Sequence, residues 1–424
     1  MGVPVAAVDI GTTKTCALIG EQGDDGRLRI LGVGLAPSNG LRKGVVVDVK
    51  LATQSIALAV EQAERSANMS IEGAYVGIAG SHISSANSRG VAGVPHSARG
   101  VTQDVVERAM ESAAAIAVPE NREIIHAIPR GYTLDGQDGV RDPIGMMGTR
   151  LEVEAHIVTG ASPSIQNLHK AVESAGVKVI QLLLEPIAAG EVVLTPAERE
   201  MGVALVDIGG GTTDIAIFMD GSVWHTVVLP LGGLHLTNDL AVGLRAPFSA
   251  AEDIKLKYGT LMVEDARDQE LIELAAFGDE ERRTASRRDV SEILAARAEE
   301  ILQMVLTEIK RSGYDGMLPA GVVLCGGTAQ LTGIRPFART ILNLPVRIGS
   351  PEKIEGLTDR ISAPAYAASA GLVAAGLQRN EEQFLEVARG NARESIPGRG
   401  SNILRPMLRI GGWLKQALLP EQGE

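Results

Sequence analysis

Aromatic residues supply only 3% of this 424-residue chain, so large rings cannot form its core. Val, Ile, Leu and Ala must fill it, which suits strands buried on both faces beneath helices. Cysteine is scarcer still. Cys16 and Cys325 lie far apart inside apolar runs, so a disulfide framework is excluded and both read as buried, reduced thiols. The seven histidines include no H-x-x-x-H pair, which argues against a zinc site. Positive charge is in deficit: the net charge of −12 excludes a broad nucleic-acid surface, which needs clustered cations. No apolar run approaches the roughly 20 residues of a membrane span. No charged, then apolar, leader opens the chain, and Ala6 does not suit a myristoylation signal. A soluble, cytoplasmic body is expected. The two commonest nucleotide fingerprints, G-x-x-x-x-G-K-[ST] and a G-x-G-x-x-G opening a helix, are absent as well.

What is present is one turn made twice. Asp9-Ile10-Gly11-Thr12-Thr13-Lys14 follows the apolar run 5–8, and Asp207-Ile208-Gly209-Gly210-Gly211-Thr212-Thr213-Asp214 follows the run 203–206. Glycine permits positive φ and close backbone approach, so successive N–H groups can converge on an anion, while threonine hydroxyls add donors. A second apolar run follows each turn (16–19 and 215–218), which predicts hairpin tips rather than strand-to-helix loops. Either motif alone could be a polar β-turn. As a pair they predict a nucleotide held between facing tips, with Asp9 and Asp207 holding Mg²⁺ through its waters. A third glycine site, Gly326-Gly327, ends the buried run 322–325 and would let backbone lie against a flat base. Lys14 and Asp214 are read as matching positions of the two hairpins. The lysine either adds charge for phosphates or is an ordinary surface residue.

Periodicity predicts helices over 51–67, 104–116 (N-cap Thr102 or Gln103), 162–175 with Ser162 as N-cap, 234–244, 250–258, 289–311 and 365–378. Strands are expected over 123–130, 150–158 and 177–184, and Asp220-Gly221 marks a hairpin. The expected division is a first core at 1–81 and 162–196 interrupted by an insert at 82–161. A second core at 197–230 and 315–379 is interrupted by a small unit at 231–314, and a linker at 380–400 leads to a terminal helix at 401–419.

The order of two phosphate hairpins and a late Gly-Gly resembles the actin, Hsp70 and sugar-kinase ATPase superfamily. Within it, the stretch Asp142-Pro143-Ile144-Gly145-Met146-Met147-Gly148-Thr149-Arg150, continuing to Gly160, is similar to the signature of the bacterial FtsA cell-division family. The resemblance implies an α/β, actin-like ATPase fold: two similar cores flanking an ATP cleft, with an α+β insert in the first half. It also implies that Glu185, at a strand-to-helix junction, faces the γ-phosphate and orients the attacking water. Capping of its own helix is an equal alternative. Glu252 and Lys255 resemble the ribose-contacting helix of the family, though at i,i+3 they also suit a solvated face. No substrate base can be picked out, so at most weak ATPase activity is expected.

The resemblance further implies filament formation with other copies, recruitment of division proteins through the insert, and binding of the C-terminal peptide of the tubulin-like protein FtsZ. Arg283, Arg287, Arg288 and Arg297 fall in the peptide-binding region, where ion pairing within the protein is the competing account. The tail carries its own signal. At about 100° per residue, Ile403, Met407, Ile410, Leu414 and Leu418 share a stripe opposite Arg405 and Arg409, with Trp413 at the boundary. That pattern predicts a helix lying in anionic headgroups, with Leu404 and Leu408 as further lipid contacts. The expected role is an ATP- and Mg²⁺-binding anchor of the FtsZ ring on the cytoplasmic face of the inner membrane, at the septum. A pilus-assembly scaffold and a small-molecule kinase of the same superfamily are the alternatives.

Overall fold

The structure, a computed structural model, describes residues 3–23, 26–95, 99–115, 118–274, 283–352, 354–357, 359 and 361–390. The first half opens with Val5–Ile10 (β1), Lys14–Gln22 (β2) and Leu28–Pro37 (β3). A small hairpin, Leu41–Arg42 (β4) and Val45–Val46 (β5), leads into Val49–Ala67 (α1) and Gly73–Ile78 (β6). An insert follows: Ile83–Gly93 (β7), Gln103–Ala114 (α2), Arg122–Leu134 (β8), Gln137–Val140 (β9) and Arg150–Ala161 (β10). Ser162–Ser174 (α3), Lys178–Leu184 (β11), Glu185–Val193 (α4) and Pro196–Met201 (α5) complete the half. The second half runs Val203–Ile208 (β12), Thr213–Met219 (β13), Ser222–Leu229 (β14), Gly233–Leu244 (α6), Phe248–Tyr258 (α7), Leu271–Leu274 (β15), Arg283–Ser286 (β16) and Arg287–Ser312 (α8). It closes with Val322–Cys325 (β17), Ile334–Leu342 (α9), Val346–Ile348 (β18), Ile354–Gly356 (β19) and Ala367–Gly390 (α10).

The halves repeat strand for strand. One sheet has the order β11-β6-β1-β2-β3-β19 and the other β14-β13-β12-β17-β18, so β3-β2-β1-β6-β11 corresponds to β14-β13-β12-β17-β18. In each, an antiparallel meander carries the glycine–threonine motif at its first turn, and a parallel strand flanks the first. Every residue of β12 and β13 is buried, as expected of central strands covered on both faces. Helices α4 and α10 lie in the shared layer: Leu18, Leu184, Ala188, Leu205, Phe218 and Leu372 belong to one aliphatic core. Their approach is close, since a Cβ on Gly371 would stand 2.0 Å from the carbonyl oxygen of Ala188. Only glycine fits there.

The insert is a separate sheet, β7-β10-β8-β9, whose inner face packs Leu151, Val153 and Ala155 against Val105, Ala109 and Met110 of α2. A polar seam also ties it to β14. His156 bonds Asn87 through Nδ1 (2.7 Å) and Thr226 through Nε2 (2.9 Å), and Ser85 donates to the carbonyl of Thr226. Arg130 stacks on Trp224 at 4.2 Å and donates to the Tyr314 hydroxyl.

Burial, with His225 and Arg130 adding positive charge nearby, pushes the pKa of His156 down to about 3 from its ordinary 6.5. The unfolded chain therefore takes up a proton that the folded chain refuses as pH falls from 6.5 toward 3. By pH 5 this costs about 2 kcal/mol, and the His156→Gln variant should lose correspondingly less stability between pH 7 and 5 in denaturant titrations. An unchanged pH slope would refute the assignment.

Several expected boundaries move. The N-cap of α3 is Ala161, and Ser162 is the first helical residue without a capping bond. β8 runs past 130 to Leu134, where Asp135 (φ 48°) and Gly136 (φ 85°) turn it into β9. α8 starts at Arg287 because Ser286 accepts from the Asp289 N–H at 3.0 Å. α10 continues to Gly390, so 380–390 is helix rather than linker; that stretch holds good helix formers and no proline. The remaining linker, the terminal helix 401–419 and the last expected turn of α2 at Ile116 lie outside the described residues.

Candidate functional site

The two hairpins meet tip to tip. A Cβ on Gly210 would lie 2.4 Å from the Thr13 methyl, and one on Gly211 would lie 2.5 Å from the Thr12 hydroxyl. The glycines of the second tip thus leave room for the threonines of the first. Register is the same in both: four residues, 11–14 and 209–212, separate the pairs Ile10↔Thr15 and Ile208↔Thr213. It follows that Asp9 pairs with Cys16 and Asp207 with Asp214. Lys14 therefore matches Thr212, and Asp214 matches Cys16, correcting the equivalence read from the sequence. The Thr-Thr pairs align only if two glycines, Gly210 and Gly211, are skipped, which the equal four-residue loops do not allow.

Behind the tips, acids converge. Asp9, Asp207 and Asp214 are buried and Glu185, the first residue of α4, is half-buried. Desolvation raises the pKa of each, and mutual repulsion adds to it: Asp207 is pushed to about 6 and Asp214 to about 8. Glu185 rises well above its usual range through burial, then through Asp9, Asp214 and Asp207. Its side chain stands beside Gly77, where an added Cβ would lie 3.2 Å from Glu185 Oε1. Asp9 is raised by burial but opposed by a hydrogen bond from Ser369 (2.5 Å) and by Lys14. Asp214 Oδ1 is buried without a hydrogen-bond partner, whereas Oδ2 accepts from Thr212 at 2.9 Å. Hard, crowded carboxyl oxygens with one orphaned atom suit a hydrated divalent cation, whose charge would favour their ionised form. Among the described residues no group of three or more His, Cys, Asp or Glu is arranged to hold a metal alone. Water and phosphate oxygens would complete its shell.

The other expected site residues divide. Glu252 and Lys255 pair at 2.8 Å, and Lys255 Nζ also donates to the Gly233 carbonyl (3.2 Å) and the Thr237 hydroxyl (2.8 Å). They are part of the α6–α7 junction rather than an open charged face. Thr328 ties this wall to the second tip through a 3.1 Å bond to the Gly209 carbonyl. Gly326 (φ 88°) is required by its neighbours, because a Cβ would meet Asp207 Oδ1 at 2.3 Å. Gly327, beside it, faces open space. Thr213 is fully buried and spends its hydroxyl on the Leu231 carbonyl, so it does not point at a phosphate. The Lys14 ammonium donates to the Ala365 carbonyl and lies 3.4 Å over the Tyr366 ring. Ser369 and Tyr366 are site residues that no motif marks, whereas Asp214 closes the second hairpin motif but was given no site role by its sequence alone.

The arginines form no single island. Arg287 pairs with Glu270 at 2.9 Å, and Arg288 with Glu292 (3.1 Å) and Asp268 (3.8 Å). Arg297, nearly three turns on, is bidentate to Asp239 of α6. Arg283 lies in β16 beside Leu274.

Twin meander sheets, facing glycine–threonine hairpins and helices packed between them define an actin-like ATPase fold. Among solved structures the chain resembles the PilM–PilN type IV pilus biogenesis complex, with a TM-score of 0.65 at 15% identity over 89% of this chain and 99% of that one. It also resembles MreB 5 of Spiroplasma citri bound to AMPPNP, with a TM-score of 0.54 at 15% identity over 92% and 99%. Sequence similarity is more specific. A family model described as cell division protein FtsA matches residues 204–371, and one described as the SHS2 domain inserted in FTSA matches 80–159. Cell division protein FtsA of Neisseria meningitidis is 44% identical over 97% of this chain and 98% of its own length. That of Pseudomonas aeruginosa is 41% identical over 93% and 94%. The chain belongs to the FtsA family of cell division proteins.

Proposed function

We propose that this chain binds Mg²⁺–ATP between its two hairpin tips, assembles into filaments with other copies, and anchors the FtsZ ring to the cytoplasmic face of the inner membrane through residues 401–419. The observation that carries the reading is the tip-to-tip contact of Thr12 and Thr13 with Gly210 and Gly211, backed by Asp9 and Asp207. Backbone N–H groups there converge on a triphosphate from both sides, and the carboxylates meet the magnesium hydration shell. Glu185 orients the attacking water, and the Glu252–Lys255 pair meets the ribose. No described base is placed to activate an acceptor, so ATP acts chiefly as a ligand for assembly.

Arg287 and Arg288 receive the acidic FtsZ tail by exchanging Glu270, Asp268 and Glu292 for its carboxylates. Arg297, held by Asp239, supports α8 instead. The insert, with its own sheet, receives further division proteins. The amphipathic pattern at 403–418 supports lipid attachment. A single short helix binds weakly, and many on one filament bind firmly through effective concentration.

Deleting residues from Ser401 onward should leave ATP affinity unchanged and abolish sedimentation with anionic liposomes. Full-length and truncated proteins pelleting equally would reject membrane attachment, and absence of adenine-nucleotide binding with magnesium supplied would reject the whole reading.

A further inference from the structure

No motif marks residues 364–369, yet they touch the cleft at four points. The Gly326 N–H donates to the Pro364 carbonyl at 3.0 Å. The Lys14 ammonium donates to the Ala365 carbonyl and stands 3.4 Å from the Tyr366 ring centroid. The Ser369 hydroxyl donates to Asp9 Oδ2 at 2.5 Å. The same residues lead through a single 3-10 turn, Pro364–Tyr366, into α10, which packs on α4, β1 and β2 and so touches the layer between the two cores.

Lys14 is the feature that calls for an account. It leaves the first tip directly after Thr13, beside Asp9 and Asp207, yet its charge rests on a carbonyl and an aromatic face of another segment. A carbonyl and a ring are modest partners for an ammonium. The several charges of a triphosphate at the adjacent tip are stronger ones. The side chain is flexible enough to serve either.

We propose that Ala365 and Tyr366 form a parking site for the Lys14 ammonium, which leaves it for the phosphates when a nucleotide enters, so that occupancy of the cleft is passed to the first turn of α10. This rests on the nucleotide reading above. Parking competes with phosphate binding and therefore lowers apparent affinity by the fraction of molecules in the parked state. Ser369 stays bonded to Asp9 in both states and serves as the pivot.

The test uses the full chain with the Tyr366→Leu and Tyr366→Phe variants. Lys14 reactivity toward an amine-acylating reagent is read by mass spectrometry without nucleotide, and affinities for Mg²⁺–AMPPNP and for adenosine are read by calorimetry. Loss of the ring should speed Lys14 labelling and tighten AMPPNP binding, each by about threefold to tenfold, between the values of an exposed and a desolvated cation–π contact, with adenosine affinity unchanged. The phenylalanine variant keeps the ring and should match the wild type in both. In wild-type protein, amide exchange across 364–370 should rise with AMPPNP and not with adenosine. Unchanged labelling, weaker AMPPNP binding in Tyr366→Leu, or an equal change for adenosine would overturn the parking site while leaving nucleotide binding standing. A wild-type chain that ignores AMPPNP would instead remove the nucleotide reading, and the parking site with it.

Discussion

The Asp207→Asn variant should be more stable than the parent in the absence of nucleotide at pH 8, and should lose most of its magnesium-dependent nucleotide affinity. Burial and the nearby Asp9 raise the Asp207 pKa to about 6 from 3.8. For a carboxyl raised in this way the folded state holds the extra proton, so stability declines as pH climbs from near 4 through 6 and the penalty is complete above that. Two units correspond to on the order of 3 kcal/mol. Asparagine keeps the shape and removes the charge, so its gain should be largest at pH 8, shrink below pH 6 and vanish near pH 4, read from unfolding in EDTA. The same charge is what a hydrated cation needs, so the magnesium-dependent part of AMPPNP affinity should fall at least about tenfold. A variant destabilised at pH 8 would show that Asp207 is not under repulsion. A stabilised variant would make the cluster an example of stability given up for a binding site.

The second large effect is expected from Gly326→Ala. Alanine is strained at φ 88°, and its Cβ would stand 2.3 Å from Asp207 Oδ1 and 2.5 Å from the Ile208 carbonyl oxygen. Neither obstacle is the free end of a long side chain. Because β17 pairs with β12 at Cys325↔Asp207, the strain passes directly into the second hairpin. A loss of about 3 kcal/mol in unfolding free energy is expected, together with weakened nucleotide binding. Gly327→Ala, one residue on, meets nothing within 4 Å and should be near neutral. Equal effects at the two positions in chemical denaturation would contradict the geometry.

Much of this was legible before any coordinates. Both hairpins, the buried strands beside them, α1, α6 and the α8 core follow from runs and periods contained within short windows of sequence. Other features were not. Ser162 looks like a cap and is not one, since the last residue of β10 already fills that position. Residues 380–390 look polar and loose, yet continue α10. The charges of Arg287, Arg288 and Arg297 look like one patch, but acids from two other elements divide them.

The sequence by itself determined the two glycine–threonine turns, their carboxylates and the aliphatic strands that carry them, because each is a local pattern of backbone freedom and side-chain alternation. Tertiary structure alone decided that four acids from three segments crowd together, that Thr213 turns away from the cleft, and that Tyr366 and Ser369 reach Lys14 and Asp9 from more than 350 residues along the chain. The reason is that burial of the layer shared by α4 and α10 fixes which distant segments meet, and no short window of residues encodes that packing.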